Sequence, residues 1–257
     1  MRFLCLPGSY GSSDKFQVQL APIVTELTSD ESATFHFING NCEATPPEGF
    51  EEFFGQPPYH RFIEPDDPDI VEGADVLSRI RDFPECETPE DTMRELMREG
   101  VADCRRSTVR AIQYLYEVME KSGPFDGVIG YSEGAMLAAT LLLFEQVRKK
   151  EFGIEPMLKC GVFFMGWPPL HPKWLNLVLA DEADIMIEVP TTHIIGSLDP
   201  YLDGSMALYN VCDQDTAYIF DTAKGHTLPR EKTLVKELGD TLRNMMAQVH
   251  EKKEAEE

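Results

Sequence analysis

The stretch that most restricts the fold is Phe125-Asp126-Gly127-Val128-Ile129-Gly130-Tyr131-Ser132-Glu133-Gly134-Ala135. A short apolar run reads as a buried strand, breaks at Gly130-Tyr131-Ser132-Glu133-Gly134, and is followed by an apolar segment of helical length. Residues 135–144 are too apolar all round for a surface helix and suit burial against a sheet. The break has the spacing G-x-S-x-G. By composition alone that spacing occurs by chance in roughly one chain in ten, so its setting decides its meaning. Between a buried strand and a buried helix, it reads as a strained turn that presents a serine, with glycines where side chains have no room. Ser132 is therefore the candidate nucleophile.

The rest of the chain alternates in the same way. Strand-like runs fall at residues 2–6, 33–38, 159–165, 190–195 and 217–220. Helical patterns fall at 14–27, at 88–121 with a break near Gly100, and at 230–249. Such alternation predicts an α/β fold with a mostly parallel sheet covered by helices on both faces. A chain of 257 residues is long enough for one large domain and short for two. A single domain over 1–250 is expected, with a charged, frayed tail at 251–257. The segment 39–70 is rich in proline, glycine and aromatics, and loops of that length usually border binding sites. A small cap is expected over 167–188.

Ligands of parallel sheets bind at the carboxyl ends of the strands. Ser132, Asp199 and His226 each follow a predicted strand, so all three should reach one rim. A hydroxyl needs a base to take its proton, and an imidazole titrates in the right range. His226 is the candidate base and Asp199 the group that orients it. Asp203, Asp213, Asp215 and Asp221 compete for the acid's place, but only Asp199 combines a preceding strand with a glycine turn. Among the other histidines, His36 and His193 lie in predicted strands, His60 in the long loop, His171 in the cap and His250 beside the tail. Backbone N–H groups should receive the oxyanion: that of Glu133, after the nucleophile, and that of Ser9 or Tyr10 in the first loop. Tyr131, Tyr59 and Trp167 are candidate substrate contacts.

Charge narrows the partners. With 45 acidic and 23 basic residues, the net charge is −22, which repels nucleic acid and anionic membrane surfaces. The six cysteines are scattered without a C-x-x-C pair, which predicts reduced thiols in a cytoplasmic protein. No metal-ligand spacing appears, and no stretch of about 18 apolar residues is present to cross a membrane. A soluble, intracellular protein is expected.

The order Ser, Asp, His is that of the α/β-hydrolases, and the chain resembles the serine hydrolase family known as FSH. The resemblance runs from Phe3 to about Leu242 and rests on Leu4-Cys5-Leu6-Pro7-Gly8, Phe37-Ile38-Asn39-Gly40, Pro57-Pro58-Tyr59 and residues 123–135. It implies a Ser-Asp-His triad at Ser132, Asp199 and His226, and no cofactor. Two positions depart from the family's pattern. Pro7 stands in the middle of the first loop, which leaves Ser9 and Tyr10 both open as donors. Glu133 stands where glutamine is common, and its charge would disfavour anionic substrates. The fungal branch that this chain most resembles includes hydrolases encoded beside polyketide synthases. That likeness implies cleavage of an acyl thioester, with an acyl-carrier domain as partner. A general short-chain carboxylesterase is the alternative within the same chemistry. A non-hydrolytic small-molecule binding protein on the same fold is the alternative outside it.

Overall fold

The computed structural model describes residues 1–46, 54–67, 69, 75–98 and 101–256. Six strands form one parallel sheet: β1 (Arg2–Leu6), β2 (Thr34–Phe37), β5 (Gly127–Tyr131), β6 (Gly161–Phe164), β7 (Thr191–Ile195) and β8 (Ala217–Asp221). Their order is β2-β1-β5-β6-β7-β8. All five pairings are parallel, so every carboxyl end lies on the same rim. The strand order reverses beside β1, and ligands of such sheets gather at this kind of switch point.

Alternating side chains of β1 serve opposite faces, as the two-residue period of a strand requires. Phe3 and Cys5 pack with Phe16, Leu20, Ile23 and Leu27 of α1 (Ser13–Thr28), and with Leu238, Leu242 and Met245 of the closing helix (Lys232–Glu256). Leu4 and Leu6 pack on the other face with two more helices. One contributes Ala111, Ile112, Leu115 and Met119 (Arg105–Ser122); the other contributes Ala138, Leu141 and Leu142 (Glu133–Phe152). In chain order the remaining helices are α2 (Pro89–Leu96), α3 (Arg105–Ser122), α4 (Glu133–Phe152), α5 (Leu202–Asn210) and α6 (Lys232–Glu256). As its sequence requires, α4 is buried along most of its length.

Several boundaries differ from the sequence reading. The helical pattern at 88–121 forms two helices. The first opens with Thr88 capping Asp91 N–H and Pro89 at the first helical position, where proline's missing N–H costs nothing. The break expected at Gly100 lies outside the described residues. The segment 39–70 is not wholly irregular, since β3 (Cys42–Glu43) pairs antiparallel with β4 (His60–Arg61). Residues 47–53, 68 and 70 of that segment lie outside the described residues, among them Pro47, Phe53 and Pro68 of its proline and aromatic clusters. A 3-10 helix, Val76–Asp82, follows it. The tail expected to fray is helical through Glu256, in keeping with the helix propensity of Glu, Lys and Ala.

Candidate active site

The turn after β5 is strained where the sequence predicts strain. Ser132 has φ 54 and ψ −118, a backbone state that L-residues seldom adopt. Its N–H donates to Phe164 O at 2.9 Å, and its carbonyl accepts from Ala135 N at 3.0 Å, so both neighbours fix the turn. The flanking glycines are there for space. A Cβ on Gly130 would lie 2.3 Å from Gly134 O, and one on Gly134 would lie 2.4 Å from both Leu6 O and Pro7 O. The start of α4 is thereby pressed against the end of β1.

The loop after β7 brings Asp199 to the same rim. Its side chain is buried, Oδ1 accepts Tyr201 N–H at 2.9 Å, and Oδ2 lies 2.6 Å from Nδ1 of His226. A carboxylate on Nδ1 selects the tautomer protonated there and leaves Nε2 as the basic nitrogen. The ring lies between two tyrosines, with centroids 5.3 Å from Tyr131 and 5.3 Å from Tyr201. Tyr131 also donates its hydroxyl to His226 O at 3.0 Å. Burial raises the Tyr131 phenol well above its usual range, so this donor keeps its proton.

Three of the rival acids are occupied elsewhere. Asp203 accepts the Thr92 hydroxyl, Asp213 accepts Asp215 N–H, and Asp221 accepts Ser197 N–H and Ala223 N–H. Three of the other histidines are engaged with neighbours of their own. His193 is buried in β7 with its Nε2 3.0 Å from the Thr191 hydroxyl. His171 accepts Lys173 N–H and Trp174 N–H. His60 pairs in β4.

Ser132 and His226 line a cavity of about 230 Å³. Ser9, Tyr10, Glu133, Tyr131 and Trp167 line it too. Tyr10 also sits in the left-handed region, with φ 61, which turns the first loop back toward the elbow. Glu133 opens α4, so its N–H has no intrahelical acceptor. Tyr59 does not belong with these residues. Its hydroxyl bonds Gly55 O and Lys15 Nζ lies 4.3 Å from its ring centroid; from its segment, Phe54, Arg61 and Ile63 reach the cavity instead.

The sequence reading did not single out the cavity's far wall. Val76, Leu77 and Ile80 of the 3-10 helix form it, with Met136, Cys104 and Tyr201. The three-residue spacing of Leu77 and Ile80 is a trace of that helix, whose side chains eclipse every third residue. Burial pushes the Cys104 thiol up to about 11, so it is no nucleophile at neutral pH.

Nor did the sequence reveal a buried ionic network below the elbow. The Glu133 carboxylate accepts Phe62 N–H at 3.0 Å and Ile63 N–H at 3.2 Å, and lies 3.9 Å from Arg61 Nε. Arg61 in turn makes a two-pronged contact with Asp75, at 2.6 and 3.2 Å. Burial raises the Glu133 carboxyl, while Arg61 and the two N–H donors pull it down. Burial opposes the Arg61 charge, and the two carboxylates more than offset that. The cavity's cation is thus already neutralised by the protein.

Among the described residues no group of His, Cys, Asp and Glu is arranged to hold a metal ion. No described helix is long and apolar enough to cross a membrane.

Comparison with known proteins agrees with this architecture. The model of the family described as serine hydrolase (FSH1) matches residues 1–238. Esterase FPY3 of Fusarium mangiferae is 26% identical over 236 residues, covering 90% of this chain and 89% of the relative. Acyl-protein thioesterase 2 of Zea mays superposes with a TM-score of 0.53 at 12% identity, covering 95% of this chain and 93% of that one. A carboxylesterase of Mesorhizobium loti superposes with a TM-score of 0.50 at 17% identity, covering 94% and 87%. The shared architecture is the α/β-hydrolase fold.

Proposed function

The chain belongs to the serine hydrolase (FSH1) family, and from that premise we propose that Ser132 is its nucleophile, His226 its general base and Asp199 the group that orients the base. The observation that carries this reading is the 2.6 Å contact of Asp199 with His226 Nδ1, beside a cavity that His226 shares with the strained Ser132. In the first half-reaction the Ser132 hydroxyl attacks the acyl carbon while His226 Nε2 takes its proton. The oxyanion accepts the N–H of Glu133 and that of Ser9 or Tyr10. Collapse breaks the bond to the leaving group, which takes the proton from His226. Water, activated by the same nitrogen, then releases the acid and restores Ser132.

The cavity wall of Ile63, Val76, Leu77, Ile80 and Met136 suits an uncharged, apolar acyl group. A carboxylate placed there would lose hydration without gaining a free cation. At the finer level, the substrate is an acyl thioester, released as a polyketide-type product from a carrier domain. The family resemblance of the chain supports it. Steering contributes little, since a chain of net charge −22 repels acidic partners at long range. Recognition must be local. The cavity size favours a second reading, a short-chain carboxylesterase, because about 230 Å³ falls below the roughly 300–1,000 Å³ usual for ligand pockets.

The test compares matched thioesters and oxoesters over several acyl lengths, with Ser132→Ala as the blank. Faster thioester turnover and a dead variant support carrier release. Turnover confined to short oxoesters transfers the assignment to the esterase. Equal rates in wild type and variant would remove Ser132 from the chemistry.

A further inference from the structure

Most polar groups around the cavity are spent on the protein itself. The Tyr131 hydroxyl donates to His226 O at 3.0 Å, the Arg61 guanidinium bonds Asp75, and the Cys104 thiol donates to Ala102 O. The Ser9 hydroxyl and Arg61 Nε are turned to the Glu133 carboxylate. The Tyr10 hydroxyl is not spent. Tyr10 lines the same cavity as Ser132 and is only 5% exposed, yet among the described residues no group accepts its proton. A buried hydroxyl left without a partner is destabilising, so this one is poised for a ligand. Tyr201 and Trp167 also bring unspent donors to the cavity, but both are partly exposed, where water serves them.

The first loop carries this phenol to a fixed place. A Cβ on Gly8 would lie 3.2 Å from that of Ser132, so the loop passes the nucleophile at Gly8, and Tyr10 stands two residues farther on. The antiparallel bridge between Gly11 and His60 then sets Tyr10 beside Arg61, since neighbours of a bridged pair also face one another. The Tyr10 ring packs on Phe54, with centroids 4.9 Å apart. The phenol thus flanks the path of an acyl chain rather than the reacting carbon. Its surroundings also fix what it can bind. Burial raises its pKa to about 12; the Arg61 charge opposes this, and Asp75 and Glu133 add to it. It therefore keeps its proton and acts as a donor. Because Arg61 is already held between Asp75 and Glu133, an anion placed here would meet no net positive charge.

We infer that the Tyr10 hydroxyl determines acyl specificity, donating a hydrogen bond to a neutral oxygen, ketone or hydroxyl, carried on the largely apolar acyl chain of the substrate. The inference rests on the hydrolase reading of the site and adds that the chain in the cavity is not a plain hydrocarbon. A chain with such an oxygen satisfies the phenol, whereas a saturated chain buries it against methylene groups. The leaving group has no part in this selection, which acts alike on thioesters and oxoesters. The side chain of Tyr10 thereby has a role separate from that of its backbone N–H.

Ethyl hexanoate and its 3-oxo, 5-oxo and 3-hydroxy derivatives offer one chain length with and without the acceptor. The readout is kcat/KM for each oxygenated ester divided by that for hexanoate, in the wild type and in Tyr10→Phe. Each ester is compared with itself across the two proteins, so its intrinsic reactivity divides out, and phenylalanine keeps a ring against Phe54. For at least one oxygenated ester the ratio should fall about tenfold in Tyr10→Phe, which corresponds to roughly 1.4 kcal/mol. Ratios unchanged for all three would overturn the inference; so would equal losses on all four esters, the mark of an oxyanion donor. Calorimetry on Ser132→Ala, which retains Tyr10, provides a second measurement. This protein should bind one of the oxygenated esters more tightly than hexanoate, and tighter binding of hexanoate than of all three would count against the donor. If Ser132→Ala hydrolyses the esters as fast as the wild type, the hydrolase reading is what fails, whatever the ratios.

Discussion

The carboxylate of Glu133 accepts the backbone N–H of Phe62 at 3.0 Å, across 71 positions of sequence. With the neighbouring bond from Ile63, it fastens the segment after β4 to the residue that follows the elbow serine and whose N–H is the proposed oxyanion donor. The charge at this position, which the sequence suggests would repel anionic substrates, is spent within the protein on two donors and Arg61.

Replacement of Glu133 by glutamine should therefore be costly despite its similar shape. An amide has one acceptor oxygen for two N–H donors, so one donor must face an NH₂ group. A stability loss of about 1–3 kcal/mol is expected, rising to about 3–5 kcal/mol for Glu133→Ala, which leaves the buried ion pairs one partner short. Urea denaturation checks both values. The fall in kcat should exceed the change in KM, since the proposed oxyanion donor moves with the strut.

Asp199→Asn should keep the fold and lose the rate. The amide can present N–H to His226 Nδ1, favouring the wrong tautomer, and a fall in kcat on the order of 10⁴ is expected. Ser132→Ala or His226→Ala should cost on the order of 10⁶. Steady-state kinetics on a neutral ester, with circular dichroism to establish folding, measures these losses.

The glycines of the elbow should differ sharply from a glycine in open space. Gly134→Ala puts a Cβ 2.4 Å from two backbone oxygens, which forces α4 away from β1; a loss of about 3 kcal/mol or more is expected. Gly153, at the end of α4 with φ 65, has nothing within 4 Å of its would-be Cβ. Gly153→Ala meets only the left-handed backbone penalty, about 1 kcal/mol. Denaturation midpoints of the two variants decide the order.

Burial drives His193 down to about 3, so the native protein keeps this ring neutral while the unfolded chain binds a proton below about 6.5. Its contribution to stability is whole above that pH and declines as pH falls toward 3. The slope reaches about 1.4 kcal/mol per pH unit. In His193→Phe, which retains an aromatic beside Phe163 and Tyr209, stability should vary less with pH between 6 and 4. Urea midpoints at several pH values provide the comparison.

Much of this molecule is written locally. The apolar run before Ser132, the two glycines around it and the apolar helix after it describe their own surroundings, because burial periodicity and backbone strain act over a few residues. The same local logic puts Asp199 and His226 at strand ends, and parallel pairing then brings strand ends to one rim. The strand and glycine turn before Asp199 favour it over Asp221 in the sequence, and the tertiary structure adds the reason Asp221 is engaged, with Ser197 and Ala223. It also exchanges Tyr59 for Phe54, Arg61 and Ile63 in the cavity wall, and turns Glu133 from a free charge into a strut. These relationships join residues tens of positions apart through hydrogen bonds and ion pairs whose partners depend on the path of the chain. A local pattern records which residues seek burial; which charge meets which donor is settled when distant segments pack.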